Sequence, residues 1–202
     1  MTNCCRKSRK ITTKRPFFPV LTFLLILSNT AVFFLDSTTN SLTWSTAFNP
    51  DNTLWNLLFS VFSHYDLDHL CYNMLFLILV GPMCEKRLGA WRYASLYMVS
   101  GICSALGFVL MYPEAEIAGA SGAIAGLMAV YPFIQHNLAA TLLTGFIFLF
   151  CFVKDFLGFS ASLVDQLDDT AYLGHLSGGL AGLLFLTLLG RKTFHRTLHK
   201  AR

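Results

Sequence analysis

Ser121 lies in Gly119-Ala120-Ser121-Gly122-Ala123 and His175 in Gly174-His175-Leu176-Ser177-Gly178-Gly179, and each segment stands near the head of a long apolar stretch. A serine hydroxyl becomes a nucleophile when a neighbouring base takes its proton, and imidazole is the commonest such base. Acyl transfer then needs hydrogen-bond donors where the oxyanion of the tetrahedral intermediate develops. His69 and Asn73 are four residues apart, so on a helix they share a face and can point at one oxygen. A serine in the first turn of its helix adds a third donor, its own amide, because the first N–H groups of a helix lack internal acceptors and lie at the positive end of the macrodipole. His64 lies further out than these residues, in a supporting place. The set is suited to peptide hydrolysis by a Ser-His pair in apolar surroundings.

The elements that must carry these residues are helices. Of 202 residues, 54% are hydrophobic and only 13% charged, and the mean hydropathy is +0.55. That composition is too apolar for an ordinary soluble domain and predicts an all-α, polytopic membrane protein. Apolar runs fall near Phe17–Leu35, Leu67–Cys84, Trp91–Met111, Ile117–Ile134, Leu138–Val153 and Thr170–Leu189, each near the roughly 20 residues that cross a bilayer. The first follows a basic segment as a signal peptide does. Its apolar run continues through Ala31–Leu35, past the small residues where cleavage would fall, and it reads as a retained span. The expected organisation is a basic tail at 1–16, a membrane domain at 17–190 and a second basic tail at 191–202.

Charge sets the orientation. Arg6, Lys7, Arg9, Lys10, Lys14 and Arg15 precede the first span, Lys86, Arg87 and Arg92 join the second to the third, and Arg191, Lys192, Arg196, Lys200 and Arg202 follow the sixth. All fall on one side of a six-span bundle, and only Lys154 falls on the other. Because basic loops stay inside, both termini are expected in the cytoplasm, and the second, fourth and sixth spans run inward. The net charge of +4 is then a topological signal and gives no support to nucleic-acid binding. Cys71, Cys103 and Cys151 within spans, and Cys84 at a span end, read as small packing residues rather than a disulfide framework. Cys4 and Cys5 read as free cytosolic thiols, with palmitoylation the alternative.

Counting about 1.5 Å per residue from the estimated outer helix ends puts Ser121 roughly 6 Å deep and His175 roughly 7.5 Å. Gly122 and Gly126 on one span, with Gly174, Gly178 and Gly182 on the other, form small-x-x-x-small faces that allow two backbones to approach in lipid. The same residues also fit a plain helix contact, and His69 with Asn73 a plain polar pair. Their coincidence at one depth is what favours chemistry. Two longer outer loops flank the mouth. One, from Asp36 to about Asp66, carries Trp44, Trp55 and a partly helical Leu54–Phe62 segment; the other, Lys154–Asp169, has the composition of a cap or of an ordinary connector.

Other chemistries fit less well. The serine segment lacks the second glycine of a Gly-x-Ser-x-Gly elbow. There is no His-Glu-x-x-His, and the five-residue step from His64 to His69 suits one helical face poorly, so no metal or other cofactor is expected. The polar groups gather at one end and form no path across the bilayer, which argues against a transporter or channel.

On these residues the chain resembles the rhomboid intramembrane serine proteases. His64, His69 and Asn73 reproduce the family's His-x-x-x-x-His-x-x-x-Asn pattern, Ser121 stands at its nucleophile, His175-x-x-Gly178-x-x-x-Gly182 at its base, and Glu85 to Gly89 resembles its Glu-x-x-x-Gly turn. The resemblance implies a compact six-helix core of the bacterial type in the inner membrane, with Ser121 and His175 as the dyad and His69, Asn73 and the Ser121 amide around the oxyanion. His64, Gly119, Gly122 and Gly178 are the supporting residues. Partners would be transmembrane protein substrates and the lipid bilayer, with the oligomeric state left open. The first outer loop carries no arginine, so the Trp-Arg pair of one rhomboid type is not expected. Ala125 stands where some relatives place an aromatic ring against the histidine, leaving Tyr97 and Phe133 as candidates to orient His175. The alternative function is that of an inactive relative that binds membrane helices.

Overall fold

The computed structural model describes residues 17–39, 47–51, 53–134 and 172–189, with short helical stretches at 138–139, 141–143, 145–147 and 149–150 and at positions 153 and 157. The terminal tails, Cys4, Cys5, Trp44, Cys151 and nearly all of the Lys154–Asp169 loop lie outside the described residues. The named elements are α1 (Val20–Thr39), α2 (Leu54–Phe59) running into a 3-10 turn (Ser60–Phe62), α3 (Leu67–Leu88), α4 (Ala90–Met111), α5 (Ser121–Ile134) and α6 (Tyr172–Leu188). The expected Leu54–Phe62 helical segment is therefore present. The apolar stretch after α5 is helical at each of its described positions.

By length and composition α3 and α4 are long and apolar enough to cross a membrane, whereas the other apolar helices are shorter. The expectation of equal spans is corrected most clearly at the fourth. Its helix begins at Ser121 rather than Ile117, because Ile117 forms an isolated antiparallel bridge with Phe48 and Gly119 takes a φ of +130°. Both features are incompatible with a helix.

Helix α3 is capped at its start by Asp66, whose carboxylate accepts the His69 amide at 2.7 Å. It ends at Gly89, φ +80°, whose N–H donates to the Glu85 carbonyl at 2.9 Å while its own carbonyl accepts the Tyr93 amide at 3.0 Å. One residue thus joins α3 to α4. At the same end Glu85, 5% exposed, receives the start of α1: the Leu21 amide at 3.0 Å, the Thr22 amide at 2.9 Å and the Thr22 hydroxyl at 2.9 Å. Those amides are among the donors a helix leaves unsatisfied at its N-terminus, and a carboxylate there also meets the positive end of the dipole. Gly81 makes the room, since a Cβ on it would lie 2.7 Å from Thr22 Cγ2.

Leu77, Tyr93, Leu96, Leu127 and Ile134 are fully buried where α3, α4 and α5 meet. At the opposite end from Glu85, a second cluster of Phe48, Leu57, Ala105, Phe108 and Val109 fastens the segment before α3 to α4.

Candidate active site

Ser121 is the first residue of α5 and half-buried. The bond from the Ile124 amide to the Ala120 carbonyl, 2.9 Å, opens the helix, so the amides of Ser121, Gly122 and Ala123 precede any intrahelical acceptor. The chain leading to the serine is pinned by the segment that precedes α3. Phe48 and Ile117 exchange both backbone bonds at 2.9 Å, the Gly119 amide donates to the Ser60 carbonyl at 2.8 Å, and Asn49 Nδ2 donates to Glu116 Oε1 at 3.1 Å.

Gly119 is where the expected oxyanion residue meets the expected nucleophile. A Cβ placed on it would lie 2.7 Å from His69 Cε1, 2.8 Å from His69 Nε2 and 3.8 Å from Ser121 Oγ. The imidazole edge and the hydroxyl therefore converge on the space a side chain would fill, and the positive φ disfavours any residue but glycine. His69, in the first turn of α3, stacks beneath Tyr65 at 6.4 Å and 14° and meets His64 edge-on at 5.0 Å and 65°. Asn73 follows one turn later; it is 5% exposed, and its Nδ2 has no hydrogen-bond partner among the described residues. His64 is 1% exposed. Burial, with the His69 ring adding to it, pushes His64 down to about 3, so it stays neutral.

His175 stands in the first turn of α6, half-buried, within electrostatic reach of His69. Its height is set by glycine against glycine. A Cβ on Gly178 would strike the Gly122 carbonyl, and one on Gly182 would lie 2.8 Å from Gly126 Cα. The offset of 56 residues is the same at both contacts, so α5 and α6 run parallel and His175 is level with Gly119, two residues from Ser121. The expected glycine faces do meet, except that a Cβ placed on Gly174 would lie 3.0 Å from Ser104 Oγ and 3.2 Å from Ile117 Cδ1.

Two residues escaped the sequence reading. Ser104 and Ser100 of α4 seat their hydroxyl groups against Gly122 and Gly126, making the junction three-helical. Their four-residue spacing was the available signal. Of the suggested orienting rings, Tyr97 is fully buried with its ring 6.3 Å from Phe62, whereas Phe133, 58% exposed, lies about 18 Å along α5 from Ser121. Phe133 is too distant to touch a histidine level with the helix start. Among the described residues no group of three His, Cys, Asp or Glu is arranged to hold a metal ion.

A bundle of apolar helices that carries Ser121, His175, His69 and Asn73 at one end, around a glycine-mediated helix contact, defines an integral membrane protein with these residues set at the helix termini. Residues 51–192 match the Rhomboid domain, and the chain belongs to the rhomboid family. It is similar to Rhomboid protease GluP of Bacillus subtilis, 28% identical over 197 residues that cover 91% of this chain and 38% of that protein. It is 29% identical to Putative rhomboid protease YdcA of the same organism over 72% of this chain and 82% of that one. Rhomboid protein 1, mitochondrial, of Saccharomyces cerevisiae is 32% identical over 64% of this chain and 40% of its own length. The chain thus spans well under half the length of two of these relatives and most of YdcA.

Proposed function

We propose that this protein is an intramembrane serine endopeptidase that cleaves transmembrane segments near the outer face of the membrane. The observation that carries this reading is the parallel glycine register of α5 and α6, which holds Ser121 and His175 at one height. In the reaction His175 accepts the proton of Ser121 Oγ as the oxygen attacks the scissile carbonyl. The oxyanion is met by the Ser121 amide, His69 and Asn73. His175 then protonates the leaving amine, and water admitted from the outer end hydrolyses the acyl-enzyme. Relatives with protease in their names, and the family's place in membranes, support the same reading. Basic loops favour cytoplasmic termini, and the Bacillus relatives favour a bacterial inner membrane.

The test is cleavage of a single-span model substrate by purified protein in lipid vesicles. Wild type should cleave, with chelator present or absent. Ser121→Ala and His175→Ala should each lose activity by on the order of 10⁴-fold while remaining folded. Undiminished cleavage by Ser121→Ala removes the assigned nucleophile. A folded wild type that binds a broad panel of substrate helices and cleaves none supports the inactive, helix-binding alternative.

A further inference from the structure

His64 is buried, yet neither ring nitrogen has a hydrogen-bond partner among the described residues. A buried polar ring left in that state is costly, and such groups call for a use. The charged or ionisable groups that act on it are the His69 ring and the Asp66 carboxylate, and the Phe62 backbone is near without hydrogen-bond geometry. Asp66 is already engaged by the His69 amide at 2.7 Å. The His69 ring lies edge-on at a centroid separation of 5.0 Å, about the spacing of two imidazoles joined by one N–H···N bond of ~3 Å.

His69 turns its Cε1–Nε2 edge to Gly119 and Ser121. A neutral imidazole that donates from Nε2 must carry its proton there, and its Nδ1 is then an acceptor. We propose that His64 is the positioning residue of His69: its ring N–H serves His69 Nδ1, which keeps the proton on Nε2 and the ring turned to the serine. The bond requires the His64 ring to turn until one N–H faces His69 Nδ1. The assignment rests on the oxyanion role of His69 and makes that donor a coupled pair of imidazoles.

The test is nitrogen NMR of 15N-histidine-labelled protein in micelles, comparing wild type, His64→Phe and His64→Gln, with His69→Gln to assign the signals. Wild-type His69 should show an N–H signal at Nε2 and a hydrogen-bonded signal at Nδ1. His64→Phe keeps the bulk and removes the donor, so the Nδ1 signal should move to the free position, and kcat should fall by about tenfold with KM unchanged. His64→Gln retains an N–H and should recover most of the wild-type kcat. A wild-type Nδ1 already at the free position overturns the proposal, and so does an Nδ1 signal unmoved by His64→Phe or equal loss of kcat in folded Phe and Gln variants. Absence of cleavage by wild type would instead fail the protease reading, while the nitrogen shifts still decide the contact.

Discussion

Gly178→Ala separates site geometry from stability. The added Cβ would lie 2.9 Å from Gly122 C and 3.1 Å from Gly122 Cα, with the Gly122 carbonyl oxygen nearer still. All three are backbone atoms, so no side-chain rotation relieves the contact. Restoring the ~3.5–4.0 Å of ordinary carbon contact pushes α6 from α5 by on the order of 1 Å. Overpacking of this kind costs about 1–3 kcal/mol, and alanine returns about 1 kcal/mol through helix propensity. Net destabilisation should therefore stay below about 2 kcal/mol. The displacement acts one residue from Ser121 and one turn from His175, where a 1 Å error lowers turnover by roughly 10²-fold. Gly182→Ala meets Gly126 Cα at 2.8 Å and should cost similar stability, but it lies one turn deeper and should spare most activity. Thermal unfolding and cleavage kinetics on both variants, in one lipid, provide the measurement. Wild-type turnover in Gly178→Ala, or equal losses in the two variants, would refute the claim that this contact sets the dyad.

Asn73→Ala and His69→Ala should each lower kcat by on the order of 10²–10³, about 2.7–4 kcal/mol of transition-state stabilisation, in protein that still folds; unchanged rates in both would end the oxyanion assignment. Glu85→Gln weakens the charge-assisted bonds to Leu21 and Thr22 and should cost about 1.5–3 kcal/mol, seen as a lower unfolding midpoint with the kcat of the folded fraction unchanged. For pH, His64 is held below its ordinary 6.5, at about 3, so the unfolded chain binds more protons between those values. Its contribution is complete above pH 6.5 and declines as pH falls toward 3. His64→Phe should therefore flatten the loss of stability in acid, and an acid limb identical to wild type would show that His64 is protonated in the fold.

Apolar length was enough to anticipate the helices, and helical periodicity was enough to put His69 and Asn73 on one face of α3. The glycine faces of α5 and α6 were legible for the same reason: spacing of four on one helix is local information. Pairings between distant segments were not. Nothing local in Gly119 says that its backbone turns to φ +130° against His69, and the bridge of Phe48 with Ile117 joins residues too far apart for periodicity to relate. That bridge is why the fourth helix starts late. Ser100 and Ser104 were readable as a small-residue face, but not their partner. Tyr97 and Phe133 were chosen for ring chemistry alone, and the direction each faces is a property of the packed bundle.

The Glu85 contact bears on how the bundle is made. Thr22 is synthesised 63 residues ahead of the carboxylate that receives its amide. Until α3 has been synthesised, the free amides at the head of α1 must rely on water or lipid headgroups. The first helix is therefore held only provisionally during synthesis, and its final seating waits on the arrival of a single acidic side chain at the far end of the second long helix to emerge.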